Sequence, residues 1–207
     1  MSPESENRLV SMASSPEEKV SLFRSLFRGR EDVFARRFES RRTGKSGYQP
    51  MCGNEWIRGV CEKPRIRCAA CPQRAFVPVS DRVVFWHLRG KDDAGRPFTM
   101  GVYPMLADET VRFAAIDFDK SSWQADVDSV RDAVREAGFS AAVERSRSGN
   151  GAHIWFFFSG AVPARDARDF VSEFLAVALD RNPGLGLDSY DRIFPNQDTM
   201  PDRKSVV

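Results

Sequence analysis

The chain has 207 residues, a hydrophobic fraction of 42% and a formal net charge of +2. That apolar content suffices for one or two compact cores, and no stretch is long and apolar enough to span a membrane. The near-neutral balance excludes a globally basic coat, so nucleic-acid affinity would have to come from local basic segments. No apolar leader is evident, and a cytoplasmic location is expected.

Residues 1–14 are polar and aperiodic, and disorder is expected there. Ser15, Pro16 and Glu18 then spell a capping box with proline at the first helical position. The helix predicted after it buries Val20, Leu22, Phe23, Leu26 and Phe27. Its flank and the next segment are basic, with Arg24, Arg28, Arg30, Arg36, Arg37, Arg41, Arg42 and Lys45. Gly44, Lys45 and Ser46 do not make a phosphate-binding P-loop. That motif needs a glycine where Glu39 stands and a buried strand before it.

Cys52, Cys61, Cys68 and Cys71 are the only cysteines, spaced C-x8-C-x6-C-x2-C. With no export signal a disulfide framework is not expected, and four thiolates suit tetrahedral zinc. The closing C-x2-C resembles a zinc knuckle, while the first two spacings are looser than common fingers. An iron–sulfur cluster or unligated thiols are the alternatives. Arg58, Lys63, Arg65, Arg67 and Arg74 surround the cysteines, either as an ordinary solvated surface or as contacts to a nucleic-acid backbone. Residues 15–80 thus read as a helical basic region carrying a four-cysteine zinc knuckle.

From residue 81 to 201 the pattern changes. Residues 111–119 form an apolar, β-prone run ending in Asp117 and Asp119. Period-two alternation puts both carboxylates on one strand face, with Ile116 and Phe118 on the other. Adjacent carboxylates repel unless a cation or proton sits between them, so the pair suits a hard divalent metal. A helix over 122–138 follows, capped by Ser121 or Ser122, striped by Val127, Val130, Val134 and Ala137, and stopped by Gly138. A short strand over 140–145 leads through a Ser146–Gly151 loop to a strongly apolar strand over 152–158 that carries His153. Pro163 opens a second helix, striped by Ala167, Phe170, Phe174, Val177 and Ala178, and residues 185–194 supply a last strand.

The predicted order is β-α-β-β-α-β, the split βαβ or ferredoxin-like unit, an α+β class. In that topology the first strand lies between the third and fourth, antiparallel to both. Asp117 and Asp119 then meet His153 on one side and Asp188 on the other. Metal-dependent nucleotidyl or phosphoryl transfer is the chemistry this convergence suggests.

These residues resemble the archaeo-eukaryotic primase superfamily, through Ile116, Asp117, Phe118 and Asp119, then Gly151, Ala152 and His153, then Leu187 and Asp188. The likeness is nearest to the primase-polymerase domain of TOTE conflict systems, which are bacterial and phage-linked defence modules. Residues 22–30, 39–47, 145–151 and 187–198 carry it, and it covers about 18–201. The resemblance implies template-directed nucleotidyl transfer on a DNA template with nucleoside triphosphates. Asp117, Asp119 and Asp188 would hold two Mg2+ or Mn2+ ions, with Asp191 in place of Asp188 if the last strand is bulged or shifted. His153 would contact the incoming triphosphate, with Ser148, Gly149 and Gly151 allowing backbone approach and Arg145 and Arg147 as phosphate clamps. A helicase in the same polypeptide or operon is the implied partner.

Residues 202–207 depart from the resemblance and match the translation of a sequencing-adapter string, so an artefactual tail on a truncated domain is expected. Two other classes fit the same fold. A base-stacking RNA-recognition module has no use for two aspartates on its binding face. A palm-like nucleotide cyclase also pairs carboxylates, but the Gly151–His153 strand start favours the primase reading.

Overall fold

The computed structural model describes residues 9–40, 43–119, 122–181 and 189–199. Its first helix, α1 (Pro16–Leu26), begins at the capping box. Ser15 Oγ accepts from the Glu18 amide at 3.2 Å, and Glu18 Oε2 accepts from the Ser15 amide at 2.7 Å. Residues 11–14, inside the segment expected to be disordered, form a turn in which the Ser14 amide donates to the Ser11 carbonyl. Of the apolar residues expected to be buried on α1, Val20 is buried and Phe23, Leu26 and Phe27 are half-buried, whereas Leu22 is exposed. The helix is covered on one side only, so a five-residue stripe is wider than its partner.

The N-terminal region is not purely helical, contrary to expectation. Strands β1 (Ala35–Glu39), β2 (Ser46–Pro50) and β3 (Met100–Gly101) make an antiparallel sheet in the order β2-β1-β3. A 3-10 turn over Cys68–Ala70 and helix α2 (Asp81–Arg89) lie between β2 and β3. Ser80 caps α2, and Gly90 closes it at φ 75°, a left-handed stop that glycine adopts at no steric cost. The apolar centre of this layer is Val20, Phe34, Val83, Val84, Phe98 and Met100. Residues 81–101, on the catalytic side of the sequence boundary at 80/81, therefore pack with the N-terminal layer.

The second sheet contains β4 (Thr110–Asp119), β5 (Ala142–Arg145), β6 (Gly151–Pro163) and β7 (Tyr190–Phe194). Helix α3 (Trp123–Glu136) joins β4 to β5, and α4 (Ala164–Arg181) joins β6 to β7. The strand order is β5-β6-β4-β7, antiparallel throughout, so β4 lies between β6 and β7. Pro163 ends β6 instead of opening α4, because the strand keeps its pairing with β4 as far as Thr110. The last strand is observed at 190–194, and the earlier part expected for it, 185–188, lies outside the described residues.

Alternation divides this sheet cleanly. Ala114, Ile116 and Phe118 of β4, with Ala152, Ile154 and Phe156 of β6, face α3 and α4. There they meet Val127, Val130, Ala133 and Val134 of α3, and Ala167, Val171, Phe174 and Ala178 of α4. Ala133 takes the place expected for Ala137. Each fully buried valine contributes about 1.5–3 kcal/mol, enough to fix which face the helices cover. The opposite face is left to Asp117, His153, Trp155, Phe113 and Phe157. The ring of Phe27, at the C-cap of α1, sits on it, with centroids 4.9 Å from Trp155, 5.4 Å from Phe157 and 5.6 Å from Phe113.

Candidate active site

Three carboxylates converge at the C-terminal end of β4. Asp117 and Asp119 share its open face, and Asp191 of β7 joins them, with one ligand oxygen of each lying within 4.8 Å of the others. Among the described residues this is the acidic, histidine or cysteine group gathered closely enough to hold a metal ion. Asp191 reaches the pair through a bulge. Asp117 pairs with Arg192 and Phe118 with Tyr190, so Asp191 is the extra residue on β7. Asp188 lies outside the described residues.

On the other side of β4, His153 of β6 is the cross-strand partner of Asp117. Its Nε2 lies 3.4 Å from Asp117 Oδ1, and its Nδ1 lies 3.4 Å from Glu144 Oε2. The Nδ1 atom is buried, and the Glu144 contact is within ion-pair reach but not aligned as a good hydrogen bond. Glu144 is held from the side by Trp155, whose indole Nε1 donates to Oε2 at 2.9 Å. The sequence reading did not single out Glu144. The signal was available, because counting back across the Ser146–Asn150 loop pairs Glu144 with His153.

These contacts set the protonation behaviour. Burial pushes the Asp117 carboxyl up, and Asp119 and Asp191 add to it, while His153 and Arg192 pull the other way. The Glu144 carboxylate raises the His153 pKa against the effect of burial, with Asp117 and Asp119 adding to the rise. Glu144 is held below the usual carboxylate range chiefly by His153 and then by Trp155. Arg192, paired with Asp191, is the guanidinium beside the trio. The donor set suits a divalent ion: three hard oxygen ligands, one of them half-buried and charged at a cost that a cation would remove.

The loop between β5 and β6 is built by its own hydrogen bonds. The Gly149 amide donates to the Ser146 carbonyl at 2.8 Å, and the Ser146 amide to the Gly151 carbonyl at 2.9 Å. Ser148 Oγ accepts from the Asn150 amide at 3.2 Å. Arg145 donates from Nε and Nη2 to the Gly149 carbonyl, which ties its guanidinium to the loop. Arg147 is exposed at the tip. Gly149 has a φ of 77°, a left-handed turn conformation. Gly151 is required by space: a Cβ there would lie 2.3 Å from the Phe118 carbonyl oxygen and 2.9 Å from Asp119 Oδ1.

The four cysteines are elsewhere, in the N-terminal layer. Cys52, Cys61, Cys68 and Cys71 line one cavity together with Lys63, Ile66 and Phe76. The Ala75 amide donates to Cys52 Sγ at 3.4 Å. Their sulfur atoms are not drawn as close together as the aspartate oxygens.

A protein-family model described as "TOTE conflict system, Archaeo-Eukaryotic Primase domain" matches residues 18–205 of this chain. The match runs past Pro201 into the segment set apart as a tail, which lies outside the described residues. No curated protein matches the chain.

Proposed function

Because the chain belongs to the archaeo-eukaryotic primase domain family of TOTE conflict systems, we propose that it carries out template-directed nucleotidyl transfer, as a primase or primase-polymerase using a DNA template and nucleoside triphosphates. The observation that carries this reading is the Asp117, Asp119 and Asp191 trio beside His153. These aspartates would hold the divalent ions, Mg2+ or Mn2+. When bound, such ions supply positive charge to the attacking and leaving oxygens of a two-metal displacement.

The rest of the site follows from this chain's own groups. His153, flanked by Glu144 and Asp117, is held so that Nε2 faces the carboxylates, where it would donate to a triphosphate oxygen. The Ser146–Gly151 loop would line the phosphates, with Gly151 letting the backbone approach and Arg147 reaching from the tip. Arg145 supports the loop through Gly149 instead of standing free as a clamp. The cysteines are read as structural zinc ligands, and a helicase as the partner. The split βαβ order is the scaffold this reading assumes.

One observation weighs against the RNA-recognition alternative. Such a module needs its sheet aromatics free to stack on bases. Here Phe27 already covers Phe113, Trp155 and Phe157.

The test is extension of primed and unprimed single-stranded DNA with labelled nucleotides and Mn2+, comparing wild type with Asp117→Ala and Asp119→Ala. Template-directed product from wild type, lost in both variants, is expected. Nucleic-acid binding without any product, or a cyclic product, would replace the reading.

A further inference from the structure

Apart from the trio, α3 carries a buried carboxylate that is hydrogen-bonded to the residue preceding β7. Asp126, in the first turn of α3, is 2% exposed and belongs to no ion pair among the described residues. Its Oδ2 accepts from Ser122 Oγ at 3.2 Å, from the Ser189 amide at 3.3 Å and from the Ser189 hydroxyl. Ser189 is fully buried. The Ser189 carbonyl in turn accepts from the Asp119 amide at 2.7 Å.

An aspartate in a first helical turn usually serves the helix, by capping amides or by meeting the dipole. Asp126 instead directs its oxygen to a residue 63 positions away. Burying a charge is costly unless it is well hydrogen-bonded, and a valine or leucine would pack such a site without that cost. What the carboxylate gains is a fixed Ser189, gripped through both its N–H and its O–H. Ser189 is the residue just before β7, and Asp191 is the bulged residue two positions on. The connection therefore runs from α3 through Ser189 to the backbone of Asp119 on one side and to Asp191 on the other.

We propose that Asp126 is a positioning residue for the carboxylate trio, acting through Ser189 to hold the end of β4 against the bulge of β7. The proposal rests on the metal-site reading of Asp117, Asp119 and Asp191. It adds that their mutual spacing is set from behind the sheet, by a carboxylate that touches neither metal nor substrate. Residues that orient metal ligands from the next layer out typically cost 10–100-fold in metal affinity when removed.

The experiment is Mn2+ titration by calorimetry or electron paramagnetic resonance, well below the melting temperature, on wild type, Asp126→Asn, Ser189→Ala and Asp119→Asn. Hydrogen exchange over residues 117–119 and 189–192 is followed on the same samples. About a tenfold or larger loss of Mn2+ affinity in Asp126→Asn and Ser189→Ala is expected, with faster exchange of the Asp119 amide. A lowered melting point with wild-type Mn2+ affinity in the folded protein would make Asp126 a core residue only and overturn the proposal. If Asp126→Asn does not fold, Ser189→Ala decides, since it removes one hydroxyl; unchanged affinity there overturns it too. A wild type that binds no Mn2+ overturns both this proposal and the metal-site reading. Binding that is lost in Asp119→Asn but intact in the other two overturns this one alone.

Discussion

His153 is held between two carboxylates, and the nearer consequence is a charge state. Glu144 raises its pKa, burial opposes this, and Asp117 adds to the rise. A histidine whose folded pKa lies above its unfolded value stabilises the fold fully below the unfolded value, and that contribution is lost as pH rises through the folded one. Glu144 is shifted down, so its share is present above its unfolded value and disappears as pH falls through the folded one. The pair therefore supports the fold most between the ordinary glutamate and histidine values, 4.5 and 6.5, and weakens on either side. In Glu144→Gln the first cause of the histidine shift is gone while burial remains. The His153 pKa should fall, and the stability lost as pH rises above the ordinary histidine value should shrink. A titration of the imidazole resonances checks the first and unfolding curves at several pH values the second. An unchanged histidine pKa in the variant would mean that Asp117 and Asp119, and not Glu144, raise it.

The strands of the second sheet owe their alignment at the site to one small residue. Gly151 sits opposite Asp119, and any Cβ there would drive into the Phe118 carbonyl. That obstacle is backbone and cannot rotate away. Gly151→Ala should therefore destabilise by about 1–3 kcal/mol, the usual cost of overpacking, and should also spread β4 from β6 where Asp119 stands. Denaturant unfolding measures the first effect, and a parallel loss of Mn2+ binding the second. Much of this sheet is legible in the sequence, because β4, β6, α3 and α4 carry strong periodic patterns. Period two alone puts Asp117 and Asp119 on one face. The site's edges are harder. Asp191 is reached only through a bulge, and one extra residue reverses which side chains face the site. Glu144 lies in a strand of four exposed residues, with no apolar pattern to mark it. Asp126 falls on the buried side of a helix where a sequence pattern expects apolar residues. The N-terminal sheet is the largest omission: Ala35, Arg36, Arg37, Phe38 and Glu39 show no alternation, and β1 pairs with a strand as distant as Met100–Gly101. Long-range pairing of short, polar strands leaves little local trace.

The two layers of the molecule meet on the open face of the second sheet, and each has its own source of rigidity. In the N-terminal layer the four cysteines line one cavity, and if they hold zinc, binding energy there is folding energy. About one zinc per chain is expected on metal analysis, as for a single tetrahedral site of four thiolates. A chelator should then loosen residues 50–75 in hydrogen exchange while leaving β4 and β6 protected; freely reactive thiols and no zinc would refute this. The joint between the layers depends on Phe27. Its ring touches Phe113, Trp155 and Phe157, and Trp155 both holds Glu144 through its indole N–H and lies 5.5 Å from the His153 ring. A helix far from the carboxylates in sequence thus braces the histidine through two intermediates. Phe27→Ala should cost about 3 kcal/mol, the low end for aromatic truncation because the ring is half-buried. It should also release Trp155 and Glu144, so that nucleotide use weakens while Mn2+ binding by the aspartates stays near wild type, since Asp117 is joined to this cluster at one remove, through His153. Unfolding curves, nucleotide titrations and Mn2+ titrations on the same variant separate these effects. Loss of metal binding in step with nucleotide use would mean that the N-terminal layer supports the whole site, and not its histidine side in particular.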